Sequence, residues 1–555
     1  MSDHLTTNGR NAILDGLANS SFDVLVIGGG ITGAGIALDA QSRGLRVALV
    51  EMQDFAAGTS SRSTKLVHGG LRYLKQFAVK MVAEVGKERT IVYENGPHVT
   101  TPEWILLPIF AGGTFGKRST SFGLWVYDFL AGVKKNERRK MLDRDATIAK
   151  EPLLKKDGLL GGGIYVEYRT DDARLTLEVL KKAVSLGAKA ANYVKVDKFL
   201  YKHQKIAGAI VTDQLTGKTA EIHAAKIVNA AGPWVDELRQ MDGSKTGKTL
   251  HITKGVHLVF DGKRFPLSQA VYFDVADGRM VFAIPRGGKT YVGTTDTNYA
   301  KDKVHPKMTA EDRDYLLTAV NAMFPEVRLT ANDVESSWVG LRPLIHEEGK
   351  DPSEISRKDE VFIAPSGLIS IAGGKLTGYR KMAEKVVDII AKQLQRETGK
   401  QTVPCLTRTL AISGGDVGGS AGFGEFVRKN AEWGAKLGLP KEAAERLAKW
   451  YGANVTNVFE RIPRYENEGK KTGLPLDIWL MLSYAVEAEM AATPADFLIR
   501  RTGWLFFNRP WVQEWKEPVI AAMATMAGWP EATRQKFTEQ FAQLFADAVT
   551  PEKNE

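Results

Sequence analysis

The chain of 555 residues has one cysteine, Cys405. That excludes an intrachain disulfide and any cysteine-held zinc or iron–sulfur centre, and it suits a reducing compartment. Redox chemistry in such a chain needs a borrowed cofactor. Long apolar runs are also missing: the best, 478–486, is about half of the ~18 residues that a spanning helix requires. Residues 1–20 contain Asp3 and Asp15 and no continuous apolar stretch, so they do not read as a signal peptide. The expectation is a cytoplasmic protein whose membrane contact, where there is any, is peripheral. No internal repeat or low-complexity tract is present, and no strong charge of one sign. Lys and Arg number 75 against 65 Asp and Glu, a net +10, which is no nucleic-acid footprint and suits an anionic ligand or an anionic membrane surface equally. With 43% hydrophobic and 25% charged residues, disordered and fibrous classes are excluded, and the length allows several packed domains.

The informative part begins at residue 21. An apolar run, Val24-Leu25-Val26-Ile27, enters Gly28-Gly29-Gly30-Ile31-Thr32-Gly33, a helical stretch follows until Gly44, and Val47-Ala48-Leu49-Val50 ends at Glu51. Glycines at 28, 30 and 33 let backbone approach a pyrophosphate at a helix N-terminus, and Glu51 stands where a carboxylate accepts hydrogen bonds from an adenosine ribose. This predicts dinucleotide binding. The chain then leaves strand–helix alternation for a loop at 54–75 dense in Gly, Ser, Thr and Arg, and later for alternating stretches over 250–300 that predict an antiparallel sheet. FAD therefore fits better than a nicotinamide cofactor.

Further along, 172–187 reads as a helix followed by a strand, 226–231 as a short buried strand, and 368–372 as a strand leading through Gly373-Gly374 into a helix near Leu376. Glycines at 414, 415, 418 and 419 mark a linker, and the helical remainder holds seven of the eleven tryptophans. The expected fold is α/β plus α+β: a Rossmann-type FAD-binding domain in three pieces (1–78, 150–250, 350–410), an inserted antiparallel substrate domain (79–149, 251–349), and an all-α C-terminal cap (411–555).

The loop reads Thr59-Ser60-Ser61-Arg62-Ser63-Thr64-Lys65-Leu66-Val67-His68-Gly69-Gly70-Leu71-Arg72-Tyr73, with hydroxyls, glycines and cations in a short span. In this stretch the sequence resembles the FAD-dependent glycerol-3-phosphate dehydrogenases. The resemblance extends to Asp171-Asp172-Ala173-Arg174, Val228 to Trp234, Lys254-Gly255-Val256-His257, Gly293 to Asp296, Gly340 to Leu344, Gly373 to Arg380 and Asp496 to Arg501, nearly the whole chain. It departs from many members at Arg62, where a small residue often stands. The resemblance implies oxidation of sn-glycerol 3-phosphate to dihydroxyacetone phosphate by hydride transfer to flavin N5, with electrons passing to a quinone. It leaves a homodimer open. It further implies cofactor contacts at Gly28, Gly30, Ile31, Thr32, Gly33 and Glu51, at Thr59, Ser60, Ser61, Lys65, Leu66, His68 and Gly69, at Val196, Ala231 and Gly232, and at Gly374, Lys375, Leu376 and Thr377.

A substrate phosphate needs clustered cations, for which Arg72, Arg279, Arg342 and Lys375 are the candidates, with Tyr73 beside them. Arg279 follows an Asp277-Gly278 turn and equally suits a hairpin surface. Removal of the hydroxyl proton needs a base, and His68, His257 and Lys375 stay open for that role; Arg342 or Lys375 would stabilise the developing alkoxide. No metal-ligand set is read. Oxygen in place of quinone, as in the related oxidases, is the alternative, although no mid-chain insertion typical of those oxidases is found. A flavin amine or amino-acid oxidase is opposed by the His68 to Tyr73 stretch, and a flavin-containing adaptor is a reading from another class.

Overall fold

In the computed structural model of the chain, the described residues are 5–68, 79–113, 116, 120, 121, 123, 124, 126, 137–347 and 359–552. Ser21–Ile27 is buried along all but its first residue. It lies inside an eight-stranded sheet, parallel to Thr219–Asn229 on one side and to Val47–Val50 on the other. Lys189–Ala191 and Ile369–Ala372 extend the parallel set, and Glu360–Ile363 closes one edge antiparallel. Parallel strands buried on both faces need helices over them. Ile31–Ser42 provides one, packed between Asp172–Ser185 and Tyr379–Thr398, and Val24, Val26, Ile36, Val179, Val386 and Ile390 share its core. Strands so far apart in sequence form one sheet, which makes this domain discontinuous.

Two expectations are corrected here. The buried strand expected at 226–231 is Thr219–Asn229, of which only the last third is continuously buried. Its first half alternates in burial because it pairs with the Lys205–Asp213 arm of a hairpin and is covered on one face only. The glycine segment at 414–419 is docked and does not swing as a linker: the Ser413 N–H donates to the Glu178 carbonyl, Ile412 is buried in the central core, and a Cβ on Gly414 would meet the Tyr451 carbonyl oxygen at 2.5 Å.

The second sheet has ten strands among the described residues. Its spine, Lys248–Asp261, runs antiparallel to Val334–Glu347 and to Lys289–Gly293. It is mixed where antiparallel pairing alone was expected, since Ala270–Asp274 lies parallel to Thr100–Phe110. Leu159–Thr170 pairs along nearly all of Thr100–Phe110, so this strand joins the second sheet although it falls within 150–250, and the helix Val79–Asn95 packs both on Leu376–Gly378 and, through Arg89 on Glu167 at 2.9 Å, on that strand.

The cap is built from Gly419–Lys436, Lys441–Tyr451, Leu476–Ala488, Arg509–Ala527 and Glu531–Asp547 around the fully buried Trp479. Buried charges join it to the first sheet. Asp54 accepts from Arg500 Nε at 2.5 Å, from Arg501 Nη1 at 2.6 Å and Nη2 at 2.9 Å, and from Asn192 Nδ2 at 2.8 Å. Glu489 pairs with Arg174 and, at 3.0 Å, with Lys181. The N-terminal segment crosses the same seam: Leu5 bridges to Glu489, and Arg10 binds Asn192 at 2.9 Å and Asp213 at 2.7 Å.

Candidate functional site

The glycine turn is shaped by what a side chain would strike. Gly28 has φ +115°, and a Cβ there would lie 2.5 Å from the Ala230 carbonyl oxygen; at Gly33 it would collide with the Gly28 carbonyl. The strand therefore abuts Ala230, and the helix closes directly onto the turn. Gly30 caps that helix without a side chain, leaving its first N–H groups to the cavity, apart from Ile31 N–H, which donates to Ser60 Oγ at 2.9 Å. The Glu51 carboxylate is oriented by Gly29 N–H at 2.7 Å and Gln53 N–H at 2.8 Å. Burial nevertheless raises its affinity for a proton.

A cavity of about 410 Å³ runs from Val196 and Glu51 past Gly28, Gly30, Ile31 and Thr32 to Ala231, Gly232, Gly374, Lys375 and Leu376. A second, of about 340 Å³, is lined by His68, His257, Arg279, Arg342 and Thr377. The two share Thr59, Ser63, Pro343, Lys375 and Leu376 in their walls, so they adjoin where the first sheet meets the second. An elongated cavity with a ribose acceptor at one end and uncapped helix N–H groups midway fits FAD.

Around the second cavity, Arg342 Nη1 donates to the Thr295 carbonyl at 3.1 Å and to Asp296 at 3.2 Å, and Nη2 donates to Thr294 Oγ1 at 3.1 Å. Its side chain stays 33% exposed, so the guanidinium is oriented yet still reachable. His257 is buried, stacked on Trp338 with ring centres 4.8 Å apart, and its Nε2 lies 2.9 Å from Thr64 Oγ1. Burial, Arg342 and Lys65 hold its imidazole well below the usual value. His68 is half-buried, its N–H donates to Thr377 Oγ1 at 3.0 Å, and the Thr377 hydroxyl returns a bond to its carbonyl. Burial, then Lys375 and Arg89, push its imidazole down to about 3. Both histidines are therefore neutral near pH 7.

Other expected residues are placed differently. Lys65 lines neither cavity; its ammonium binds Asp172 at 2.6 Å and the Ser61 carbonyl at 2.9 Å. Asp172 also takes Ser63 N–H at 3.0 Å and Ser63 Oγ at 2.7 Å, so this pair fixes the loop that reaches the cofactor space. Ser61 and Gly33 line neither cavity: Gly33 closes on the Gly28 carbonyl and the Ser61 carbonyl takes the Lys65 ammonium, while Thr59 Oγ1 donates to the Leu341 carbonyl at 2.7 Å. Arg279 lines the second cavity but binds Asp277 at 2.7 Å and lies over Tyr315, as a hairpin decoration would. Gly69, Arg72 and Tyr73 lie outside the described residues. Sequence reading did not single out Met241 and Met382 in the first cavity, or Tyr272 and Phe282 in the second, because apolar walls carry no spacing signal; Glu167 of the second cavity, paired with Arg89 at 2.9 Å, was missed because its partner is far away in the chain.

Comparison with known proteins agrees with this geometry. The family model "FAD dependent oxidoreductase" matches residues 23–380, and that of the "C-terminal domain of alpha-glycerophosphate oxidase" matches 405–534. The aerobic glycerol-3-phosphate dehydrogenase of Bacillus subtilis is 61% identical over 542 residues, 98% of each chain, and that of Staphylococcus aureus is 57% identical over 546. The crystal structure of the glycerol-3-phosphate dehydrogenase from Bacillus halodurans complexed with FAD superposes with a TM-score of 0.87 at 52% identity, covering 99% of this chain and 100% of that one. With the glycine turn, the Glu51 end and the two adjoining cavities in place, the chain belongs to the FAD-dependent aerobic glycerol-3-phosphate dehydrogenase family.

Proposed function

We propose that the chain oxidises sn-glycerol 3-phosphate to dihydroxyacetone phosphate and passes the electrons to a quinone. The observation that carries this reading is the junction of the two cavities, where Lys375 borders both and Arg342 and His68 line the smaller one. FAD in the longer cavity supplies a hydride acceptor at flavin N5. Arg342 and Lys375 bind the phosphate and orient the secondary alcohol. His68 takes the hydroxyl proton as the hydride leaves the carbon. It is favoured over His257 because His257 is 2% exposed and its Nε2 is engaged by Thr64. Burial is the first cause of the low His68 imidazole and Lys375 the second; a phosphate dianion beside Lys375 and Arg342 offsets the second, so substrate binding strengthens the base. Anaerobic addition of glycerol 3-phosphate to the yellow holoenzyme is expected to bleach the flavin, with faster re-oxidation by a water-soluble quinone than by oxygen. An unbleached flavin removes the substrate assignment, and faster re-oxidation by oxygen makes the protein an oxidase.

Arg342→Ala is expected to raise KM for glycerol 3-phosphate by about 10- to 150-fold, the worth of a charged hydrogen bond, and to change the weak turnover of glycerol far less. Equal losses on both substrates would place Arg342 in chemistry or structure.

Quinone access calls for a lipid surface. No helix among the described residues is long and apolar enough to cross a membrane. The net charge of +10 supports peripheral, salt-sensitive association with the cytoplasmic face, at about 1 kcal/mol for each basic residue near the surface. Co-sedimentation with anionic vesicles at low salt, lost at high salt and with neutral vesicles, is the expected result. Indifference to vesicle charge removes the electrostatic mechanism.

A further inference from the structure

A third cavity, of about 740 Å³, opens where the turn after Glu51, the stretch after Thr297–Asn298 and the last cap helix, Glu531–Asp547, come together. One wall is apolar, formed by Ile499, Phe537, Phe541 and Leu544. Among the described lining residues, Arg, Lys, Asp and Glu sum to one net positive charge. Most cations there are already engaged: Arg500 with Asp54 and Asp496, Lys307 with Asp547, Lys301 with Glu552. Arg62 is not. Among the described residues its half-buried guanidinium meets no carboxylate within ion-pair distance, and its one hydrogen bond is a long one, 3.3 Å to the Val304 carbonyl. Burial and the nearby Arg500 push that guanidinium down to about 10 against the opposing pull of Tyr299 and Asp302, so its positive charge is desolvated and only partly compensated.

We propose that this cavity is a second binding site, for an amphiphilic monoanion whose carboxylate pairs with Arg62 and whose hydrocarbon body lies on Phe537, Phe541 and Leu544. A planar fork matches a carboxylate in two parallel bonds. A single net positive charge suits one negative charge, and Asp302, Asp547 and Glu552 in the walls disfavour a dianion. The volume falls within the range of small-ligand sites.

The test is titration of the holoenzyme with octanoate, followed by calorimetry and by the fluorescence of Trp529, which packs edge-on against Phe537 with ring centres 4.9 Å apart. Octanol, octyltrimethylammonium and octyl phosphate are the matched probes. Saturable one-site binding is expected, tightest for octanoate. Arg62→Gln is expected to weaken octanoate by about 10- to 150-fold and to leave octanol unmoved. If Arg62→Gln fails to retain flavin, Lys536→Ala at the exposed rim takes its place, with an expected loss of about 2- to 5-fold for octanoate alone. The absence of saturable octanoate binding, equal affinity for the uncharged and cationic probes, tighter binding of octyl phosphate, or unchanged octanoate affinity in the variant that folds each overturns the proposal.

Discussion

His68→Asn is expected to lower kcat by about 10²- to 10⁴-fold, the usual contribution of a positioned proton acceptor, while FAD content and the KM for glycerol 3-phosphate change little. Asparagine preserves bulk and a hydrogen bond but accepts no proton. His257→Asn is expected to cost less in kcat, since that ring, although it borders the cavity, is buried against Trp338 and Gly293 and its Nε2 is held by Thr64. The pH profile separates the proton acceptor from a merely structural histidine. With the His68 imidazole pushed down to about 3 in the free protein, kcat/KM shows no histidine limb near ~6.5. In the complex, the substrate dianion offsets Lys375 and the imidazole rises, so the acid limb of kcat lies above that of kcat/KM. His68→Asn abolishes this limb. A kcat within tenfold of the unaltered protein, or an unchanged limb, transfers the role to His257 or Lys375.

What could be read in the sequence and what could not divides along physical lines. Gly28, Gly33 and Glu51 were legible because a backbone without Cβ and a carboxylate at a strand end are required locally. The cap was legible as a packed unit because tryptophans such as Trp479 must be buried somewhere. Lys65 misled for the opposite reason: a cation in a motif looks like an anion ligand, and only the fold shows that Asp172, over a hundred positions later, uses it. Arg286 on Asp171, at 2.8 Å, is equally non-local. The start of Thr219–Asn229 was missed because its solvent-facing half carries Glu221 and His223, which no apolar pattern includes. Arg62 showed as a departure from the family pattern but not as a wall of two cavities, since its neighbours come from three parts of the chain.

Asp54→Asn is expected to cost about 3–5 kcal/mol of unfolding free energy, a large share of the ~5–15 kcal/mol typical of a folded protein, and to release FAD. The reason is the position of Asp54. It lies in the turn after Glu51, whose residues Met52, Gln53 and Ala57 line the cofactor cavity, and among the described residues it joins Arg501 and Arg500 of the cap to that turn. Burial opposes its ionisation, but the Arg501 and Arg500 guanidiniums overcome this and hold the carboxyl below the usual range. Neutral asparagine leaves two guanidiniums buried with too little negative charge. Asp477→Asn, which removes the partner of the exposed Arg446 on the cap surface, is the matched control, with an expected cost of about 0–1 kcal/mol and no flavin loss. Acid has the same sign of effect. Burial works against ionised Glu489, yet Arg174 and Lys181 pull it down to about 2, below the ~4.3 of an unfolded glutamate. The stability that both carboxylates contribute is therefore present above about pH 4 and lost as pH falls toward 2. Flavin release is expected to precede or accompany loss of helical signal within that window. Asp54→Asn protein that holds FAD as tightly as the parent would show that the cap does not position the cofactor turn.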